Sequence, residues 1–276
     1  MKKWYVVIIA FMLLFAPLSV SASEGTNADG PNHEVTVKVA TYNIRAGVGS
    51  DGQYNLDGIA NTIRESGADI IGLEEVDVHW GSRSNFENEI KILADQLDMN
   101  YFFAPIYNME PSKPGDPRRK FGVAVLSKYP ILKAENREIT RLSTQEANPS
   151  PKPAPGFLQA QIHVAGEQVW FYVTHLDYRS DPTVREMQVS DMLGIIGEHD
   201  NNILVGDMNA TPEAAELAPL FQQFQDSWAL TQDSPGYTYP AEAPTKRIDD
   251  IFTSPGIKVQ STSLIDSLAS DHCLVT

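Results

Sequence analysis

In VTVKVATYN (35–43), Val35, Val37 and Val39 alternate with Thr36 and Lys38, the period-two pattern of a strand with one buried face. The period then changes. In LDGIANTIRES (56–66), Leu56, Ile59, Ala60 and Ile63 fall at helical spacing, and Gly67 stands as a stop before the apolar strand ADIIGLEE (68–75). The chain therefore opens strand, helix, strand. A second amphipathic helix is expected to carry Phe86, Ile90, Leu93 and Leu97. From FGVAVLSKYPI (121–131) onward most segments read as strands, with GFLQAQIHV and QVWFYVTH as a hairpin turning at Ala165-Gly166. Val189, Met192, Leu193 and Ile196 mark a further helix, followed by NILVGD (202–207), a strand buried on both faces. Two stretches break the pattern, 105–120 and the Pro-dense NPSPKPAPG (148–156). The second reads as a surface loop rather than a domain linker, because strand patterns continue on both sides of it. There is no internal repeat, and mixed strands and helices favour layered α/β packing over a bundle or an all-β barrel.

The N-terminus sits outside this pattern. Lys2 and Lys3 precede an apolar run from Trp4 to Phe15, and Val20-Ser21-Ala22 offers small residues before a cleavage point, so residues 1–22 read as a signal peptide of a secreted, extracellular protein. A membrane anchor is the alternative, but the run is shorter than the roughly 20 residues a spanning helix needs, and Pro17 interrupts its end. No stable membrane span is expected. Residues 23–34 are polar and read as a flexible leader, which leaves 35–276 as a single catalytic domain, expected to be a monomer.

Charge narrows the function. The formal net charge is -15, and loss of Lys2 and Lys3 with the signal takes it two units further, to -17. Such a balance repels polyanions at long range and counts against a protein that grips a long nucleic-acid backbone. The one cysteine, Cys273, cannot form an internal disulfide, so the fold must rest on a sizeable packed core. Standing next to His272 on a strand, Cys273 should point to the opposite face and be buried as a small apolar residue.

Polar residues gather where the strands end: Asn43 after VATY, Glu74-Glu75 after IIGL, His175 and Asp177 after WFYVT, and Asp207 with Asn209 after ILVG. RIDDIF (247–252) and SDH (270–272) add to them. Singly, each has a plain structural explanation. Asn43 suits a turn, His175 a structural histidine, and GDMN a polar turn before a helix capped around Thr211-Pro212. Glu74 and Glu75 should point to opposite faces of their strand, so that one enters a site and the other meets solvent or a structural partner. Together they form a set of carboxylate and amide oxygens without a cysteine cluster, which favours Mg²⁺ or Mn²⁺, with Ca²⁺ as an alternative. A metal there polarises a phosphoryl oxygen. A histidine held by a carboxylate accepts a proton from attacking water.

The ordered series ATYNIR, IIGLEEVD, FGVAVLSKYPI, YVTHLD, LVGDMN, RIDDIF and SDH resembles the endonuclease/exonuclease/phosphatase, or DNase I-like, family from about Val37 to the C-terminus. The resemblance implies a four-layer α/β sandwich, in which two packed, mostly antiparallel β-sheets are flanked by helices and the loops of both halves meet at one edge. It implies Asn43, Glu75 and Asp271 as metal ligands or acids near the metal, and His175 as a donor to the phosphate. Asp207 and Asn209 would orient the nucleophile or bind phosphate oxygens, and Asp249 would hold His272, the general base. Two residues depart from the family pattern: Glu74 stands where glutamine is usual, and Asp250 where an aromatic is usual. The final strand, Cys273 to Thr276, is short for the architecture.

The family includes nucleases, lipid-headgroup phosphodiesterases and phosphomonoesterases, so the resemblance leaves the substrate open. Arg83 is the candidate substrate-phosphate contact, while Arg118 to Lys120 is either a second positive patch or a solvated loop. Loop aromatics such as Tyr107, Tyr178, Trp228, Tyr237 and Tyr239 meet a membrane, stack on bases or simply pack. The first expectation is a secreted phosphodiesterase acting on a lipid headgroup or small phosphodiester, followed by a nuclease acting on nucleic acid. A phosphomonoesterase, a non-catalytic binding protein on the same fold, and a metal-independent glycosidase using Glu75 and Asp207 complete the alternatives.

Overall fold

Two of the places where the sequence passes from strand to helical spacing and back fold as a parallel strand pair joined by a helix. The computed structural model describes residues 34–276; the expected signal peptide and all but the last residue of the expected leader lie outside the described residues. In the first unit β1 (Val39–Asn43), α1 (Leu56–Ser66) and β2 (Ile70–Val78) follow one another, with Val39 opposite Ile70 and Asn43 opposite Glu74. The helix forms where its signals place it. Asn55 caps it by accepting from the Gly58 N–H at 2.9 Å, and Gly67 ends it at φ +67°.

The first half continues through α2 (Glu89–Leu97), β3 (Asn100–Met109) and β4 (Arg119–Ser127). The second half opens with β5 (Ile131–Arg141) and β6 (Lys152–Val164). Its own parallel pair is β7 (Glu167–His175), α3 (Thr183–Ile196) and β8 (Asn202–Asp207), with Trp170 opposite Asn202 and His175 opposite Asp207. Short elements follow: α4 (Ala218–Gln223), β9 (Gln225–Asp226), α5 (Ser227–Thr231), β10 (Asp249–Thr253), β11 (Leu264–Ile265) and β12 (Leu274–Val275).

The strands make two six-stranded sheets, ordered β11-β12-β1-β2-β4-β3 and β5-β6-β7-β8-β10-β9. Within each, one parallel pair sits among antiparallel neighbours. The last strand is indeed short, yet it is paired on both sides, with Val275 opposite Thr41 and Leu264. Three apolar layers fill the spaces between. Tyr42, Leu73, Ile59 and Leu93 pack α1 and α2 on the first sheet. Ile70, Val123, Val125, Val173 and Val205 fill the gap between sheets. Tyr172, Met192, Leu204 and Leu220 pack α3 and α4 on the second. The result is the expected four-layer sandwich. The sheets approach closely at Gly72, since a Cβ there would lie 2.4 Å from the Val205 Cγ2. Cys273 is buried, and among the described residues no helix is long and apolar enough to cross a membrane.

Four expectations need correction. The first strand starts at Val39, although Val35 and Val37 still pack against the inter-sheet core. Phe86 lies outside α2 and is 48% exposed, because the Asn88 side chain caps the helix after it. The stretch 105–120 is strand at both ends, leaving only 110–118 as a loop. The Pro-dense segment is also partly strand. Pro153 and Pro155 pair with Thr140 and Glu138 of β5, while β7 begins its pairing only at Leu158, so the prolines' missing N–H groups leave no ladder bond unmade on that side.

Candidate active site

The two parallel pairs end at the same edge of the sandwich, and their last residues face one another across it. Asn43 ends β1 and His175 and Asp207 end β7 and β8. Asp249 opens β10 directly opposite Asp207. In β2 the expected alternation fails. The β2–β4 register shifts between Leu73 and Val76, and Glu75 adopts φ +56°, so this bulge lets both glutamates lean toward the site. A non-glycine residue held in that region costs on the order of 1–3 kcal/mol, a strain typical of functional positions.

Glu75 is partly exposed, whereas Glu74 is fully buried and accepts a hydrogen bond from the Thr41 hydroxyl at 3.0 Å. Burial, reinforced by the charge of Asp249, pushes the Glu74 carboxyl well above the ordinary range. Burial thus favours the neutral acid at the position where glutamine is usual in the family pattern. Its second oxygen has no hydrogen-bond partner.

Asp207 is the hub of the site. Its Oδ2 accepts from Asn43 Nδ2 at 3.0 Å and lies 3.6 Å from His175 Nε2 and 3.9 Å from His272 Nε2. Its Oδ1 accepts from the Asn209 N–H at 2.8 Å. Asn43 Nδ2 also reaches Glu75 Oε1 at 3.3 Å, so one amide bridges the acids of the two halves. The Asn209 side chain is engaged by the Leu176 carbonyl at 3.0 Å.

His272 stands opposite His175. Its Nδ1 lies 2.9 Å from Asp249 Oδ2 and 3.1 Å from Oδ1, which fixes the ring and leaves Nε2 facing the site. Nε2 is 4.0 Å from Asp271 Oδ1. Burial alone would lower the imidazole, but Asp249, by charge and hydrogen bond, with Asp207 and Asp271 beyond it, raises it to about 10. Without a cation the ring is an imidazolium.

Three further residues support the site, none of them singled out for this role by the sequence. Thr238, fully buried, donates its hydroxyl to Asp249 Oδ2 at 2.5 Å. The Tyr239 ring lies 4.8 Å from that of His272. Ser270 donates to the Asn43 carbonyl at 2.7 Å and ties the SDH segment to β1. The two aromatics around Thr238 in GYTYP were the only hint that a buried threonine sits there.

The donor set suits a hard divalent cation. Asp207, Asp249 and His272 each bring a ligand atom within 4.8 Å of the others. His272 Nδ1 and both Asp249 oxygens are engaged with one another, however, which leaves the neighbouring acids to take a cation. Glu75 and Asp271 lie close enough for Glu75 to raise the Asp271 carboxyl, although burial is the larger cause. The Arg45 guanidinium sits 3.3 Å from Asp271. Carboxylates converging with so little opposing charge are what Mg²⁺ or Mn²⁺ neutralises. Arg83 lies apart from this hub. Its Nε and Nη2 bind both oxygens of buried Asp77 at 2.9 and 2.8 Å, which fixes its guanidinium near enough to Glu75 to interact with that charge.

The fold recurs in known proteins. The solved endonuclease/exonuclease/phosphatase from Beutenbergia cavernae DSM 12333 superposes with a TM-score of 0.72 at 19% identity, covering 88% of this chain and 70% of that one. The mannosyl-6-phosphatase Bt3783 of Bacteroides thetaiotaomicron VPI-5482 gives 0.67 at 19% identity over 87% of this chain and 98% of its own. In sequence, the protein YbhP of Escherichia coli (strain K12) is 24% identical over 248 residues, 84% of this chain and 90% of YbhP. The model of the Endonuclease/Exonuclease/phosphatase family matches residues 40–272, a span that runs from β1 to His272 and so takes in both parallel pairs and the dyad between them. This chain therefore belongs to that family of phosphoester hydrolases.

Proposed function

We propose that the protein is a secreted, Mg²⁺-dependent phosphodiesterase that hydrolyses a small phosphodiester or a lipid headgroup by attack of water, with His272 as general base. The observation that carries this reading is the His272–Asp249 pair, 2.9 Å apart, with Nε2 turned toward Asp207. Asn43, Glu75 and Asp271 would hold the cation, with Mn²⁺ or Ca²⁺ as substitutes. Bound there, it supplies positive charge that polarises a phosphoryl oxygen and offsets the carboxylates that keep His272 protonated. His272 takes the proton from water at Nε2, while Asp249 holds Nδ1 and stabilises the imidazolium that forms. His175, across Asp207, donates to a phosphate oxygen, and Asp207 and Asn209 orient the water. Arg83 offers Nη1, which has no hydrogen-bond partner among the described residues, to the phosphate.

The net charge of -15 favours a small ester over a long polyanion. The family also covers monoester hydrolysis, with the mannosyl-6-phosphatase Bt3783 as an instance, so a sugar phosphate belongs in the test. The experiment compares chelated and Mg²⁺-supplied protein on glycerophosphocholine, sphingomyelin, a dinucleotide, plasmid DNA and mannose 6-phosphate. Mg²⁺-dependent hydrolysis should be fastest on the small diesters. His272→Ala and Glu75→Ala should each lower kcat by roughly 10²–10⁴-fold. Unchanged turnover in chelator, or DNA as the best substrate, would overturn the reading. Export is checked by N-terminal sequencing of the mature protein, expected to begin near Ser23.

A further inference from the structure

Beside Glu75 three aromatic rings form a shelf that the chemistry above leaves unused. Trp80 follows β2, Tyr107 lies near the end of β3 and Phe121 near the start of β4. Their centroids are 6.1 Å (Trp80–Tyr107), 5.8 Å (Trp80–Phe121) and 6.2 Å (Tyr107–Phe121) apart, and the last two rings are nearly parallel, at 22°. All three are partly exposed. Two guanidinium groups lie over them, Arg83 at 5.4 Å from the Phe121 centroid and Arg119 at 5.8 Å from that of Trp80.

The shelf is continuous with the active site. Phe121 pairs with Asp77, two residues beyond Glu75, a separation of about 7 Å along the strand. It shares a face of β4 with Val123 and Val125, which line the space between the sheets, so the rings open toward the second sheet's loops. Thr144 of the β5–β6 loop closes the far end, donating its N–H to the Tyr107 hydroxyl at 2.9 Å. Gly122 makes the geometry possible: a Cβ there would lie 2.3 Å from the Ala104 carbonyl oxygen, where β3 bulges before Tyr107.

We infer that this shelf is the specificity subsite for the group esterified to the phosphate, and that the group it takes is a flat aromatic ring. The inference rests on the phosphoesterase reading of the adjoining site. Packing alone would bury the rings, whereas these keep exposed surface with cations laid across them in a strongly acidic chain. Ring faces and guanidinium planes stack on a flat π-system, and the guanidinium charges attract the negative charge of its ester. A saturated ring of equal size gains contact area without the stacking. Two sources supply such a ring, a nucleotide and an aryl ester.

The test measures dissociation constants by calorimetry, using Mg²⁺-loaded full-length protein and phosphonates that cannot be hydrolysed. Phenylphosphonate should bind roughly tenfold more tightly than cyclohexylphosphonate. The ratio should fall to about one in Trp80→Leu and in Phe121→Leu, which keep apolar volume without a ring, and should persist in Trp80→Phe. Should either leucine variant fail to fold, fluorescence gives a second readout: phenylphosphonate should quench emission in the parent protein and not in Trp80→Phe. The phosphonate analogue of thymidine 5′-monophosphate binding more tightly than phenylphosphonate identifies a nucleotide, and the reverse order an aryl ester. Equal affinity for phenyl- and cyclohexylphosphonate in the parent protein overturns the inference, as does a ratio that survives both leucine variants. These constants need no turnover, so a protein that hydrolyses no phosphoester would fail the proposed function while the shelf is still judged on its own measurement.

Discussion

Asp249 and Asp250 are neighbours in sequence with opposite surroundings. Asp249 works in the site, whereas Asp250 points into a fully buried space where neither oxygen has a hydrogen bond. Arg247 Nε is 3.2 Å away but poorly aligned, because Arg247 spends its better donor on Asp226 at 2.5 Å. Burial is the main cause that moves the Asp250 carboxyl from 3.8 up to about 7, against the opposing pull of Arg247. The folded state thus prefers the neutral acid. The stability this gives is complete below about pH 3.8 and is lost as pH rises through about 7. Asp250→Asn, neutral at every pH, should therefore be more stable than the parent at pH 8, by about 1 kcal/mol or a few degrees in Tm. Urea unfolding at pH 4, 6 and 8 reads this directly, and a gap that does not shrink toward pH 4 would sink the account. At this scale the sequence revealed the chemical identities and missed their settings. The doublet Glu74-Glu75 shows no sign of the bulge that breaks its alternation, and nothing local ties Thr238 to the aspartate it supports, 11 residues on.

Helices and strands were legible wherever a local signal closed them. Asn55 and Gly67 bound α1 because capping is decided by neighbours in sequence. The edge of β6 was hidden because whether a proline fits a strand depends on which neighbour is present, and β7 is absent there. Gly72 shows a similar dependence. It reads as an ordinary gap in an apolar strand, yet the packing of β2 on β7 and β8 turns on it. Gly72→Ala places a methyl 2.4 Å from Val205 and 3.0 Å from Val173, which should cost about 1–3 kcal/mol. Adding Val205→Ala should recover part of that loss, and a double variant no better than the sum of the singles would show that the contact is not the cause. Turnover should fall with stability in the single variant, because Glu74 and Glu75 follow Gly72 on the same strand.

At the scale of the whole molecule, the site exists only because both sheets end at one edge. Asn43 and Glu75 come from one half, His175, Asp207 and Asp249 from the other, and Asp271-His272 from a segment that returns to the first sheet. The order of the motifs was readable along the chain, but their convergence is a property of packing between distant strands. Converging acids with few cations predict strong thermodynamic coupling to a divalent ion. Mg²⁺ at about 100 times its dissociation constant should stabilise the fold by about 2.7 kcal/mol. Thermal unfolding across a Mg²⁺ titration should show a rising Tm, reduced in Glu75→Gln, and a flat response would remove the metal site. The position of His272 also governs when the enzyme comes alive. A growing chain that has reached Thr253 holds the strands of both parallel pairs with Asn43, Glu75 and His175, but lacks Asp271 and His272, the last cation ligand and the base in the proposed mechanism. On the proposed roles, competence would then be scheduled by synthesis itself, with the nascent chain inert toward phosphoesters until β12 docks beside β1.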